Sequence, residues 1–200
     1  MAGVLDALKI DRADLVTHDI GNMVGYAFAI QHPGRTTRFV LIDAPVPGVG
    51  PWEEVLKNPL LWHFRFGGPD MERLVAGRER IYLDRFWNEF PPPPAVSPRP
   101  RASTTPSCTL YLAQCIRVSR NLQHLIRMRS TTRNSSPLRA SSPCRLAIGG
   151  EKSFGSMMAT IMRFAASDVT EGMVPNSGHW IMEENPEATI AIVRDFLASK

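Results

Sequence analysis

Leu15-Val16-Thr17-His18-Asp19-Ile20-Gly21-Asn22-Met23-Val24 decides the reading of this chain, because it sets a carboxylate where a buried strand turns sharply into a helix. Leu15-Val16-Thr17 reads as the end of a short strand, and residues 22–32 as a helix with Met23, Val24, Ala27, Phe28 and Ile30 on one broad apolar face. Gly21, lacking a Cβ, predicts a close approach of helix to strand. The apical side chain is then thrust out of the sheet's carboxyl edge, beside helix N–H groups that favour negative charge. That is the geometry of a nucleophile elbow with Asp19 where esterases carry Ser. A plain helix cap at Asp19 is the competing reading.

A second candidate lies near the far end. Met173-Val174-Pro175 reads as a short strand and Asn176-Ser177-Gly178 as a loop delivering His179, followed by a final helix from about Glu187 to Ala198 with Ile190, Val193, Phe196 and Leu197 inward. Between the two, the apolar strand Phe39-Val40-Leu41-Ile42 ends in Asp43-Ala44-Pro45. In a parallel sheet all carboxyl ends share one edge, where open α/β folds bind ligands. Asp43 there could hold the His179 imidazole in the tautomer that activates water. Glu151, in Gly149-Gly150-Glu151 after the strand Leu146-Ala147-Ile148, is the rival acid, and Asp43 as the opening of a proline turn is the plainer alternative.

Taken together, residues 15–24, Leu41-Ile42-Asp43-Ala44-Pro45, Leu61-Trp62-His63-Phe64 and Ser177-Gly178-His179-Trp180 resemble the epoxide-hydrolase branch of the α/β-hydrolase superfamily, with haloacetate dehalogenases as chemical cousins. The resemblance covers about residues 1–90 and 145–200. It implies a partial α/β-hydrolase fold of the α/β class, with a mainly parallel sheet and a helical cap remnant, on either side of a central segment whose composition reads as disordered. It also implies an Asp19–His179–Asp43 triad: Asp19 attacks an epoxide carbon to form an ester, and His179 activates the water that hydrolyses it. His63, beside Trp62, matches a donor to the leaving oxygen, and the N–H of Ile20 an oxyanion donor. Thr17 departs from the family, which usually has glycine two residues before the nucleophile. The alternatives are an inactive fragment or pseudogene product of such a hydrolase, and a haloacetate dehalogenase.

The expected organisation is residues 1–47 as core with the elbow, 48–90 as cap, 91–144 as an Arg/Pro/Ser-rich segment, and 145–200 as the rest of the core. Only Met1 to Asp14 precede the first strand, enough for one short helix with Val4, Leu5 and Leu8 inward. The strands and His-Gly-x-Pro oxyanion loop that open this fold are therefore expected to be missing. In the cap, Pro51-Trp52-Glu53-Glu54 starts one helix, and Pro69-Asp70-Met71-Glu72 a second running through Phe86 with Leu74, Ile81, Tyr82, Phe86 and Trp87 as its apolar stripe.

Composition shifts abruptly after Phe90. Residues 91–144 hold eight Arg, nine Pro and nine Ser, no Asp, Glu or Lys, and all three cysteines, Cys108, Cys115 and Cys144. The net charge of +4 is thus a property of this segment. A nucleic-acid arm fits poorly, since Tyr111 is its lone aromatic and no stacking platform is visible. Arg, Pro, Ser and Ala together are what a GC-rich gene yields when read out of register, and a disordered insert is the alternative. No apolar run approaches the roughly 20 residues that span a bilayer, and the cysteines lack metal-ligand spacing. A cytoplasmic setting, a small-molecule substrate (an epoxide or organohalide), no metal or cofactor and no nucleic-acid or membrane partner are the expectations. Dimerisation is left open.

Overall fold

The computed structural model describes residues 1–89 and 144–199. The expectations of disorder and of an out-of-register reading therefore lie outside the described residues, apart from Cys144, which opens a strand. Four strands form one parallel sheet in the order β1 (Ala13–His18), β2 (Thr36–Ile42), β3 (Cys144–Gly150) and β4 (Val169–Val174). Val16 pairs with Val40, Val40 with Leu146, and Leu146 with Thr170.

The continuous apolar run of β2 follows from burial on both faces, the habit of all-parallel sheets. Phe39 and Leu41 point to one side with Leu15 and Ala147. There they meet α2 (Ile20–Gln31) through Tyr26, Phe28 and Ala29, and α6 (Met157–Met162) through Met158 and Ile161. Val40 and Ile42 point to the other side with Leu146 and Ile148. That side is covered by α7 (Ile181–Glu184) and α8 (Pro186–Ala198), through Ile181, Ile192, Val193 and Phe196. Helix α8 starts as its sequence directs: the Asn185 side chain accepts the N–H of Ala188, and Pro186 occupies the first turn.

Before β1 lies α1 (Ala2–Ala7). Between β2 and the undescribed stretch come α3 (Trp52–Val55), a 3₁₀ helix (Pro59–Phe64), α4 (Pro69–Val75) and α5 (Glu79–Glu89).

Several expectations need correction. In α1, Val4 and Leu8 face solvent, and Ala2 and Leu5 make the contact with the core. The helix from Pro69 does not run through Phe86; it breaks at residues 76–78, where Gly77 takes φ +77°. The break rotates α5, so Leu74 and Ile81 are exposed rather than aligned in one stripe, and the side chains of Phe86 and Trp87 fall outside the description. In α8, Ile190 is exposed, and Ile192 takes the inward place expected of it. Close helix–strand approach occurs at Gly25, not Gly21. A Cβ at Gly25 would stand 2.9 Å from the Phe39 ring and 3.0 Å from the Thr17 methyl, whereas one at Gly21 would meet Thr17 at an ordinary 3.6 Å.

Candidate active site

Because all four strands run the same way, the residues following each one collect at a single edge. Asp19 follows β1, Asp43 follows β2, Glu151 follows β3, and the loop 175–180 follows β4. The turn after β1 is abrupt: helix α2 begins at Ile20, two residues earlier than its apolar period suggests, and Asp19 carries the whole reversal at φ 53°, ψ −123°. A non-glycine residue held at positive φ stores strain that surrounding contacts must maintain. The Asp19 carboxylate makes no capping hydrogen bond to α2, which disposes of the cap reading. It remains 41% exposed.

Asn22 supplies the restraint on that turn. Fully buried in the first turn of α2, it donates from Nδ2 to the carbonyls of Ile42 (2.9 Å) and Ala44 (2.8 Å). Its Oδ1 receives the Thr17 hydroxyl at 2.7 Å. Helix α2 is thereby fastened across the end of β2, on either side of Asp43. Thr17, which the resemblance would replace by glycine, fits because its methyl group sits in the space left by Gly25 and its hydroxyl is used.

The Asp43 carboxylate is completely buried, at φ 41°. Oδ1 accepts the N–H groups of Gly150 (2.8 Å) and Phe154 (3.3 Å), leaving Oδ2 for the Nδ1 of His179 at 3.0 Å. The same Nδ1 lies 3.0 Å from the Asp43 carbonyl. Both partners only accept, so Nδ1 carries a proton and Nε2 faces Asp19, 3.9 Å from its Oδ2.

Glu151 is not part of this line. Its carboxylate is exposed and accepts the N–H of Asn176 at 2.6 Å, holding the base of the His179 loop. Higher in that loop, the Glu184 carboxylate accepts the N–H groups of Gly178 and Trp180.

The charges follow from the geometry. Burial alone would lower the His179 pKa, but Asp19 and Asp43, by hydrogen bonding and charge, raise it from 6.5 to about 9. Loss of surrounding water would raise the Asp19 pKa, yet His179, with His18 and His63, holds it below the usual carboxylate value. His63 is pushed down by burial against a smaller upward pull from Asp19. Resting Asp19 and His179 therefore form an ion pair, with His63 neutral beside them.

The structure thus brings Asp19, Asp43 and His179 together, with His63 near enough to feel the charge of Asp19. Ile20 opens α2, so its N–H belongs to the first helical turn, whose donors have no partner within the helix. Trp62 looks elsewhere: its Nε1 donates to Glu89 at 2.6 Å and its ring lies under the Arg85 guanidinium at 4.0 Å, so it fastens the 3₁₀ helix to α5. Among the described residues no group of three or more His, Cys, Asp or Glu side chains could hold a metal ion, and no helix is long and apolar enough to cross a membrane.

An acid after a strand-to-helix elbow, a second acid after the next strand and a histidine in the last loop point to one family, and the alpha/beta hydrolase family matches residues 1–192. The chain belongs to that family. Two curated hydrolases match parts of it. A 2-hydroxy-6-oxo-2,4-heptadienoate hydrolase of Pseudomonas putida is 37% identical over 76 residues, 38% of this chain and 26% of that protein. A 2-hydroxymuconate semialdehyde hydrolase of a Pseudomonas species is 52% identical over 42 residues, 21% of this chain and 15% of its own length. Each match spans about a quarter or less of the curated relative.

Solved structures cover the chain more fully. Wild-type Cfl2 from Burkholderia cenocepacia is 27% identical, with a TM-score of 0.66 over 98% of this chain and 68% of that one. The epoxide hydrolase CorEH, solved without ligand, shares the fold at a TM-score of 0.72 and 22% identity, over 98% and 71%.

Residues that sequence reasoning passed over in this alpha/beta hydrolase hold the others in place. Asn22 is a poor helix former inside an apolar helix, a signal that its amide has another use. The pair Gly149-Gly150 was visible, though only as the flank of Glu151. Nothing in the sequence marked Glu184 as a clamp on the His179 loop.

Proposed function

We propose that this chain hydrolyses epoxides through a covalent ester on Asp19, with His179 as base and Asp43 as its orienting acid. The observation that carries this reading is the line from an accessible carboxylate at a strained turn to a buried one, through a single imidazole, at 3.9 and 3.0 Å. A carboxylate attacking a carbonyl gives an anhydride, whereas attack on a saturated carbon gives an ordinary ester that water can cleave. Asp at position 19 therefore favours epoxide or halide carbons over acyl groups as the electrophile.

In the first step an Asp19 oxygen bonds to an epoxide carbon. The ring C–O bond breaks, and its oxygen leaves with the electron pair, hydrogen-bonded by His63 in the helical cap. Esterification cancels the Asp19 charge, and with it two of the influences that raise the His179 pKa. The imidazole becomes more acidic and releases the proton that the opened oxygen requires. Neutral His179 then takes a proton from water as the water oxygen attacks the Asp19 ester carbonyl. The resulting oxyanion forms beside the N–H of Ile20 and the positive end of α2. Collapse expels the diol's second alkoxide, which takes its proton from His179, and the proton of the newly formed Asp19 carboxylic acid passes to His179, restoring the resting ion pair.

The substrate in this reading is a small molecule, and the setting cytoplasmic. Single-turnover hydrolysis of styrene oxide in ¹⁸O-water tests it. The label should enter the Asp19 carboxylate first and reach the diol only on a second turnover. Label passing straight into the diol on the first turnover would mean direct attack by water, and faster halide release from haloacetate than diol formation would favour carbon–halogen substrates.

A further inference from the structure

Esterification removes the charge that holds one side of the His179 imidazole just when that imidazole must work. His18 is placed to compensate. It is the last residue of β1, adjacent to Asp19, and its Nε2 lies 2.9 Å from the carbonyl oxygen of His179. A carbonyl only accepts, so Nε2–H donates. The two imidazoles are also in tilted contact, at 4.6 Å between centroids and 38° between planes, with Trp180 at 6.0 Å from the His18 ring.

The other ties on the His179 loop run to different elements. Glu184 on α7 holds the N–H groups of Gly178 and Trp180, and Lys152 N–H donates to the Ser177 carbonyl at 2.8 Å. Through His18 the loop is joined to the strand that carries the nucleophile. That bond does not depend on the charge of Asp19. Burial, then the neighbouring His179, lower the His18 pKa against smaller upward pulls from Asp19 and Asp43, so the ring is neutral at pH 7 and adds no cation next to the charged His179.

We propose that His18 is a positioning residue that keeps His179 against Asp19 through the ester stage, so that its loss slows ester hydrolysis more than ester formation. This rests on the Asp19-ester reading above. Phe at position 18 preserves the ring contact and removes the donor, while Gln retains a donor.

Rapid-quench intact-mass measurement with styrene oxide should find ester formation in His18→Phe within about threefold of wild type and hydrolysis slowed about tenfold, the cost of one lost hydrogen bond. His18→Gln should recover most of that loss. Equal slowing of both steps, no slowing of hydrolysis, or no recovery by Gln would overturn the proposal. Absence of ester in both wild type and His179→Gln would count against the reaction instead. The positioning claim is then read by NMR titration: the His179 pKa should fall by about one unit in His18→Phe as its acid contacts loosen, and stay in place in His18→Gln. An unchanged His179 titration in His18→Phe would overturn it whatever the chemistry.

Discussion

Gly150 and Gly178 meet backbone to backbone: a Cβ on Gly150 would overlap the carbonyl oxygen of Gly178. The same Gly150 donates its N–H to Asp43. One residue without a side chain thus sets both the acid and the height of the His179 loop. Gly150→Ala must move that loop, because the obstructing atoms are backbone. The variant should lose about 100-fold in rate, the cost of misplacing a catalytic group by about an ångström. Steady-state kinetics beside circular dichroism checks this, and a folded Gly150→Ala protein of wild-type activity would refute it.

Asn22→Ala should destabilise the fold. It strips the buried carbonyl of Ala44 of the Asn22 donor and leaves that of Ile42 to the more distant Asp19 N–H at 3.4 Å, at about 1–3 kcal/mol for a group left unsatisfied. The loss appears as a lower denaturation midpoint in urea. Asn22→Asp fares no better, since it offers acceptors where donors are needed, and an Asn22→Asp midpoint equal to wild type would contradict the assignment.

Stability should fall between pH 6.5 and about pH 9. The His179 pKa is raised on folding from 6.5 to about 9, so its contribution is complete below 6.5 and disappears as pH climbs through the folded value. Asp19 acts at the other end, with its lowered pKa contributing stability above the unfolded value and losing it in acid. Asp19→Asn mimics the charge of the ester. In that variant the His179 pKa, followed by NMR of the ring proton, should drop below 9 toward 6.5, and a titration unmoved from about 9 would show that Asp19 does not control it.

Glu184→Gln removes the carboxylate that accepts the N–H groups of Gly178 and Trp180 but leaves one amide oxygen in reach. Glu184→Ala leaves none. Activity should fall in the order wild type, Gln, Ala, by about tenfold at the last step, as expected for an outer support of a working residue. Equal activity in all three would show that Glu184 does not set the loop.

Much of this architecture was legible because the relevant signals are local. The apolar run from Phe39 to Ile42 announces a strand buried on both faces, and His18-Asp19-Ile20-Gly21 announces the turn. That Asp19, Asp43 and His179 share an edge follows from parallel strands alone. What escaped was set by tertiary contact. Ile190 and Ile192 are equally apolar, and only the position of α8 against Val40 and Ile42 decides which is buried. Gly21 and Gly25 are both one-atom side chains, and only the Phe39 ring shows which one the packing needs. Trp62 adjoins His63 in sequence yet reaches toward Glu89 and Arg85, because successive residues on a tight helix point in different directions. The residues alone left Asp43 and Glu151 as rivals, since both follow strands, and only the resemblance favoured Asp43. It is decided by burial and by which carboxylate the Gly150 N–H turns toward His179.

In the proposed reaction Asp19 forms the covalent bond and His179 breaks it. Intact-mass spectrometry of His179→Gln after incubation with styrene oxide, followed by peptide mapping, tests it most directly. A stoichiometric adduct on the peptide containing Asp19, absent when Asp19→Asn is added to the same variant, is the predicted result. No adduct in His179→Gln, or an adduct that survives the loss of Asp19, would contradict it.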